Sequence, residues 1–162
     1  MIRTMKQKYP IDPDRISLIG FSAGASGAMH LVSLYPDEFS AMLAMVAGGN
    51  DYPIRNFSNL PLAIHHGDVD WTSAICDARV QFQKMQSAGN RLAFLKEYPG
   101  SGHSVSAKDH KSIVKWVLEQ KRDPAPKSIA IDCETPTLGR HAYIQILEFD
   151  DPQNVATLTV DI

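Results

Sequence analysis

Three side chains in this 162-residue sequence could together perform nucleophilic catalysis: a serine, an aspartate and a histidine, in that chain order. The serine is Ser22, in the segment Gly-Phe-Ser-Ala-Gly at 20–24, which matches the G-x-S-x-G pattern of a nucleophile elbow. In such an elbow the serine occupies a strained turn between a strand and a helix, and its hydroxyl projects from the sheet. We expect Ser22 to be the nucleophile and the backbone N–H of Ala23 to stabilise a developing oxyanion.

A glycine-rich turn between a strand and a helix could instead bind a phosphate. However, no Walker lysine follows the turn, and Gly20, Gly24 and Gly27 do not form G-x-G-x-x-G. The pattern therefore favours the elbow. We expect Gly20 and Gly24 to remove Cβ atoms where the backbone is crowded.

A serine nucleophile needs a base that takes its proton and an acid that orients the base. Asp70 comes shortly after a predicted strand, and His103 comes shortly after the next one. Because the carboxyl ends of parallel strands lie at one edge of a sheet, both side chains can meet Ser22 there. Asp68 competes with Asp70 for the role of the acid.

The remaining side chains of chemical interest are predicted to be structural. Trp71 and Trp116 are expected to be packing residues, although Trp71, which follows Asp70 directly, could line an acyl or leaving-group pocket. Cys76 and Cys133 are predicted to be two free thiols rather than a disulfide. The sequence has no zinc-binding motif, so neither a metal nor a cofactor is expected.

His66 is expected to form a hydrogen bond within its turn. The five histidines predicted to be structural are His30, His65, His66, His110 and His141.

Strands and helices that alternate along the chain must position the three candidates. Predicted strands cover 16–19, 41–47, 62–66 and 91–98, and predicted helices cover 2–9, 25–35 and 109–121. A further helix is expected between an N-cap at Thr72 and Gly89 at its C′ position. The helix at 25–35 should bury one face, made of Ala28, Leu31, Val32 and Tyr35. This alternation predicts a parallel sheet with helices on its faces.

The last part of the chain has a different pattern. A Pro-rich linker at 123–127 separates residues 1–122 from 128–162. Beyond it, apolar and polar residues alternate over 128–134, 141–149 and 155–162, with turns at 136–139 and 150–154. The pattern predicts a small antiparallel β module, a three-stranded meander.

Composition excludes several classes of protein. The formal net charge is −2, with 21% charged and 44% hydrophobic residues, which gives no reason to expect a nucleic-acid partner. No apolar stretch has transmembrane length. The first eight residues lack the apolar core of a secretory signal. Localisation therefore stays open, because a signal of an exported parent protein would precede residue 1.

Several segments, taken together and in this order, resemble the α/β-hydrolase superfamily. Among its members they most resemble bacterial esterases and peptidases related to polyhydroxybutyrate depolymerase, feruloyl esterase and prolyl oligopeptidase. The resemblance covers residues 1–122. It implies Ser22 as nucleophile, Asp70 as the acid, His103 as the base and the Ala23 N–H as an oxyanion donor. The segments are DPDRI at 12–16, GFSAG at 20–24, LYPDEF at 34–39, HG-x-x-D at 66–70 and YPGSGH at 98–103.

The resemblance also implies a function and a boundary. The implied function is a serine hydrolase that cleaves an ester or a peptide through an acyl-enzyme, without a cofactor. Complete members have about four more strands before the nucleophile strand, so we expect this chain to be the C-terminal half of the fold. The nucleophile strand would then be an exposed apolar edge that invites self-association or pairing with a partner chain. The alternative is a catalytically inactive fragment whose β module mediates interactions.

Overall fold

A four-stranded parallel sheet forms the centre of the computed structural model, which describes residues 2–135, 138–148 and 155–162, without the side chain of Arg3. The spatial order of its strands is β1-β2-β3-β4, the same as their order in the chain. The predicted parallel sheet is therefore confirmed. The strands are Ser17–Phe21 (β1), Ala41–Met45 (β2), Leu62–Gly67 (β3) and Ala93–Tyr98 (β4).

Helices cover both faces of this sheet. One face carries the larger core, in which α2 contributes Ala25, Met29 and Val32 and α3 contributes Met85. On the other face, α4 packs against the strands through two apolar residues one turn apart. Burial on both faces explains why β2 is an uninterrupted apolar run and why β3 begins with three apolar residues. The helices are Ile2–Lys8 (α1), Ala23–Leu34 (α2), Ile75–Ser87 (α3) and His110–Glu119 (α4).

The register of the parallel strands sets where the candidate residues emerge. Phe21 at the end of β1 pairs with Met45, and Gly67 at the end of β3 pairs with Tyr98 at the end of β4. Ser22, Asp70 and His103 follow β1, β3 and β4, so all three leave the sheet at its carboxyl edge. This is the edge at which open α/β sheets bind their ligands.

The buried face of α2 differs from the predicted one. Leu31 and Tyr35 are about half exposed rather than buried. The helix begins at Ala23, two residues earlier than predicted, and its backbone lies close to the sheet at Gly20. That close approach turns a face of mostly small side chains inward. Its members are Ala25, Ala28, Met29, Val32 and Ser33.

Both ends of α3 were predicted from capping residues, and one prediction is wrong. The N-cap is Ala74 rather than Thr72, and the N–H groups of Thr72 and Ser73 both donate to Asp70 Oδ1, so both residues belong to the turn around Asp70. At the other end, Gly89 has φ 94° directly after the C-cap Ala88, which confirms it as the C′ residue.

Strand β1 is an edge strand in the part of the chain that the structure describes. It pairs with β2 on one side. On the face shared with α4, Ile19 and Phe21 are 49% and 48% exposed. The expected exposed apolar edge of the nucleophile strand is therefore present.

The C-terminal module is not the predicted meander. Its first and last strands, Ser128–Cys133 (β5) and Ala156–Asp161 (β8), pair directly and antiparallel. The middle segment forms a short hairpin whose two strands have two residues each, Arg140–His141 (β6) and Ile144–Gln145 (β7). Residues 136–137 and 149–154, and with them much of the two predicted turns, lie outside the described residues.

The short middle hairpin has a physical cause. Ala142 has φ 53°, a left-handed conformation that ends the first strand after two residues. Asp37, in the connection between α2 and β2, accepts hydrogen bonds from His141 Nδ1 at 2.6 Å and from the Ala142 N–H at 2.6 Å. A contact with a distant carboxylate therefore determines the local structure here.

Asn56 connects the module to the sheet domain. Its side chain is 4% exposed and lies in the loop between β2 and β3. Its Oδ1 accepts the Asp132 N–H at 2.7 Å, and its Nδ2 donates to the Asp132 carbonyl at 2.9 Å and to the Ser33 carbonyl at 2.6 Å. The amide thus pairs with β5 as the backbone of a neighbouring strand would. The division of the chain at 123–127 stays a prediction.

Candidate active site

Ser22 lies at the turn between β1 and α2 in a strained conformation. Its φ is 54° and its ψ is −127°, a region that residues other than glycine rarely occupy. The Ser22 N–H donates to the Met45 carbonyl at 2.8 Å, which holds the turn against β2. This geometry is that of the expected elbow.

Only one of the two elbow glycines is needed for close packing. A Cβ at Gly20 would lie 2.7 Å from the Ala25 nitrogen, so no larger residue fits there. A Cβ at Gly24 would meet no described atom within 4 Å. The expectation that Gly24 relieves crowding is therefore wrong, because its α-carbon faces open space.

The structure brings the three predicted residues together. His103 Nε2 lies 2.8 Å from Ser22 Oγ, and His103 Nδ1 lies 2.8 Å from Asp70 Oδ2. An ionised carboxylate can only accept a hydrogen bond, so Nδ1 carries a hydrogen and donates a hydrogen bond to Asp70 Oδ2. The lone pair of Nε2 is then available to accept the hydrogen bond of the Ser22 hydroxyl.

Asp70 is held by its own loop. Its Oδ1 accepts the N–H groups of Thr72 and Ser73 at 2.9 and 3.0 Å, and its side chain is buried. Burial alone would raise the pKa of this carboxyl. The hydrogen bonds from Ser73, His103 and Thr72 outweigh burial, so the pKa of Asp70 lies below its ordinary value. The carboxylate next to His103 is therefore ionised at neutral pH.

The other aspartate of this loop contacts a different group. Asp68 Oδ1 accepts the Gly100 N–H at 2.7 Å. His66, the penultimate residue of β3, is fully buried and its Nε2 lies 2.8 Å from the Ser73 carbonyl. A carbonyl only accepts, so Nε2 donates, and the predicted hydrogen bond of His66 within its turn is confirmed. Of the two candidate acids, Asp70 is the one in contact with His103.

Aromatic residues near the site deviate from the prediction in one case. Trp71 is 96% exposed, so the prediction that it packs is wrong. The side chain of Asp70 is buried, whereas that of Trp71, the next residue, points outward. Trp116 packs on the α4 face of the sheet, edge-on to Phe94, as predicted. Phe21 lies edge-on to His103 with ring centroids 5.5 Å apart. Phe21 is not among the predicted site residues, although its place in the sequence, directly before the nucleophile, was a signal.

Among the residues that the structure describes, the four remaining histidines form no hydrogen bond with the three candidate residues. His65 is buried, and its Nδ1 lies 2.7 Å from the Tyr98 hydroxyl. Burial, and secondarily the nearby Lys96, lowers the pKa of His65 to about 4. His141 binds Asp37, as described above, whereas His30 and His110 are exposed on helices.

The two cysteines are free thiols, as predicted, with Cys76 exposed and Cys133 buried. Within residues 2–135, 138–148 and 155–162, no group of three His, Cys, Asp or Glu side chains is arranged to hold a metal ion. No helix in the same ranges is long and apolar enough to cross a membrane.

Comparison with known proteins identifies the family. The model of the phospholipase/carboxylesterase family matches residues 2–119, well over half of the chain. The chain belongs to the phospholipase/carboxylesterase family. It is therefore an α/β-hydrolase, which confirms the superfamily expected from the sequence. The finer resemblance to polyhydroxybutyrate depolymerase, feruloyl esterase and prolyl oligopeptidase stays a prediction.

Curated relatives are plant carboxylesterases. Carboxylesterase SOBER1 of Arabidopsis thaliana is 27% identical over 131 residues, which cover 75% of this chain and 56% of the relative. The probable carboxylesterase SOBER1-like of the same plant is 25% identical over 124 residues, covering 73% and 47%. The chain thus spans about half the length of the curated relatives it matches.

Solved structures show the same fold. A thermostable esterase superposes with a TM-score of 0.67 at 22% identity, over 75% of this chain and 35% of that one. The crystal structure of Arabidopsis thaliana SOBER1 superposes with a TM-score of 0.62 at 24% identity, over 72% of this chain and 58% of that one. The matching α/β-hydrolase fold agrees with the four parallel strands and their helices.

Proposed function

We propose that this chain carries the catalytic triad of a serine esterase, with Ser22 as nucleophile, His103 as general base and Asp70 as the residue that orients the base. The observation that carries the proposal is the continuous path of two 2.8 Å contacts, from Ser22 Oγ to His103 Nε2 and from His103 Nδ1 to Asp70 Oδ2. Such a nucleophile, base and orienting acid within hydrogen-bond reach is the arrangement that acyl transfer requires.

The proposed reaction has two halves. Ser22 Oγ attacks the ester carbonyl carbon while its proton passes to His103 Nε2, giving a tetrahedral oxyanion. The oxyanion collapses, the bond to the alcohol oxygen breaks, and the alcohol leaves with the proton of Nε2, which leaves an acyl-Ser22. A water then attacks the acyl carbon with His103 again as base, and release of the acid restores the hydroxyl of Ser22.

Asp70 acts in both halves without gaining a proton. Its depressed pKa keeps it ionised, so it holds Nδ1–H and stabilises the imidazolium that forms during each attack. The Ala23 N–H is the proposed oxyanion donor, because Ala23 is the first residue of α2 and the N-terminus of a helix favours negative charge.

We propose ester rather than peptide cleavage for two reasons: the chain belongs to the phospholipase/carboxylesterase family, and its relatives are named as carboxylesterases. The peptidase alternative has no separate support among the described residues. The size and nature of the acyl group are left open, because the chain spans only about half the length of these relatives.

Labelling of the purified chain with a fluorophosphonate probe tests the proposal. We expect the parental chain to be labelled, Ser22→Ala to lose labelling, and Ser26→Ala to keep it. Ser26 is the matched control, since it lies one turn further along α2. Hydrolysis of a short-chain p-nitrophenyl ester should follow the same pattern.

The opposite result favours the inactive alternative. Absence of labelling in a chain that is folded by circular dichroism would contradict the proposal and direct attention to the β module. Light scattering on the same sample tests the predicted self-association at the β1 edge, where a dimer or larger species is the expected result.

A further inference from the structure

The loops that carry Asp70 and His103 are connected by a set of hydrogen bonds that does not involve the proposed triad. The acid loop comprises residues 68–73, and the histidine loop comprises residues 99–105. Two bonds join backbone to backbone. The Asp68 N–H donates to the carbonyl of Tyr98, the last residue of β4, at 3.2 Å, and the Val69 N–H donates to the Ser101 carbonyl in the histidine loop at 3.1 Å. A third uses a side chain, with the Gly100 N–H donating to Asp68 Oδ1 at 2.7 Å.

The Gly100 N–H has no acceptor within the turn in which it lies. The Ser101 N–H donates to the Tyr98 carbonyl at 3.1 Å, and Gly100 has φ 70°. Proline at the second position and a positive φ at the third are typical of a type II turn. In such a turn the N–H of the third residue has no acceptor within the turn. The Asp68 carboxylate supplies one, and a hydrogen bond to a charged acceptor is shorter and stronger than a neutral one.

The place of Asp68 in the chain makes this bond relevant to the site. Asp68 lies two residues before Asp70, and Gly100 lies three residues before His103. The bond therefore spans the two loops next to the 2.8 Å contact between His103 Nδ1 and Asp70 Oδ2. A histidine loop free to move by a fraction of an ångström would lengthen that contact and the one to Ser22 together.

We infer that Asp68 is a positioning residue: its carboxylate holds the Gly100 N–H and thereby keeps the histidine loop where His103 reaches both Asp70 and Ser22. This inference rests on the proposed function, since His103 matters only if Ser22 is the nucleophile. It also gives Asp68, the rival candidate for the acid, a different role from that of Asp70.

Two variants separate the acceptor from the charge. Asp68→Ala removes both, whereas Asp68→Asn removes the charge and keeps the Oδ1 acceptor. We expect Asp68→Ala to slow fluorophosphonate labelling at least tenfold and Asp68→Asn to stay within about threefold of the parental rate. Asp51→Ala is the matched control, because it removes one carboxylate from an exposed loop site. Its labelling rate should equal the parental one.

A second measurement does not depend on activity. In the NMR spectrum, the Gly100 amide should be protected from hydrogen exchange in the parental chain and in Asp68→Asn, and should exchange faster in Asp68→Ala. The far-downfield proton resonance of His103 Nδ1 should weaken in Asp68→Ala alone. If Asp68→Ala does not fold, Asp68→Glu replaces it. Glutamate displaces the acceptor by one methylene, so slower labelling is expected.

The outcomes distinguish the two proposals. In the first outcome, the parental chain is labelled, and Asp68→Ala keeps both the parental labelling rate and the protection of the Gly100 amide. This outcome overturns the role of Asp68 and leaves the proposed function intact. Equal losses in Asp68→Ala and Asp68→Asn also overturn it, because the acceptor would not be the decisive feature. A parental chain that shows the His103 resonance but is not labelled contradicts the proposed function, and the NMR comparison of the variants still decides the role of Asp68.

Discussion

Replacing Gly67 by alanine should separate the two loops of the site. Gly67 ends β3, directly before the acid loop. A Cβ built on it would lie 2.7 Å from the carbonyl carbon of Ser101, with the carbonyl oxygens of Ser101 and Gly102 closer still. All three atoms are backbone atoms of the histidine loop, so no side chain can rotate away to make room.

The size of the effect follows from that distance. Two carbon atoms pack best at about 3.5–4.0 Å, so the histidine loop must move by about 1 Å. A displacement of about 1 Å in a catalytic group can lower the rate by about a hundredfold. Overpacking of this kind also costs about 1–3 kcal/mol of the free energy of unfolding. We expect Gly67→Ala to be labelled about a hundredfold more slowly while remaining folded.

Gly102→Ala is the matched control, since the same methyl group is added within the displaced loop. A Cβ at Gly102 would meet no described atom within 4 Å, and its φ lies outside the left-handed region. The assay is the labelling rate constant of both variants, with urea unfolding to measure stability. Parental labelling in Gly67→Ala, or an equal loss in Gly102→Ala, would refute the argument that this contact sets the loop position.

Two further predictions concern stability. Asn56→Ala should lower the free energy of unfolding by about 2–3 kcal/mol, because buried backbone groups lose their partners, whereas Asn59→Ala, which loses one exposed hydrogen bond, should cost less than about 1 kcal/mol in the same urea titration. The pKa of His65 falls from 6.5 to about 4 on folding, so between these pH values the unfolded chain binds more protons and stability rises with pH. The rise amounts to as much as roughly 3 kcal/mol at 1.36 kcal/mol per unit. His65→Phe should flatten this part of the stability profile, and an unchanged slope would show that another group causes it.

The residues of the site could be predicted because short local patterns encode them. G-x-S-x-G specifies a turn around Ser22, and the strand ends before Asp70 and His103 place both at one edge of a parallel sheet. The choice between Asp68 and Asp70 was harder, because both follow the same strand. Only the loop geometry shows which of them faces His103 and which faces Gly100.

The errors arose where a distant contact overrides a local preference. Thr72 has the side chain of an N-cap, but Thr72 and Ser73 both lie in the turn whose N–H groups bind Asp70, and the helix starts later. The face of α2 is set by its close approach to Gly20. The middle strand of the β module is cut short by Asp37, which lies far away in the sequence. Such contacts leave no periodic signal in a single sequence.

The amide of Asn56 has a consequence for how the molecule unfolds. One side chain joins the carbonyl at the end of α2, the helix that begins beside Ser22, to the first strand of the β module. Loss of the module would leave the buried Asn56 amide without its two Asp132 partners, so the two parts cannot open independently without cost. A calorimetric scan should show a single transition whose calorimetric and van't Hoff enthalpies agree, and limited proteolysis should not release a stable 1–122 core.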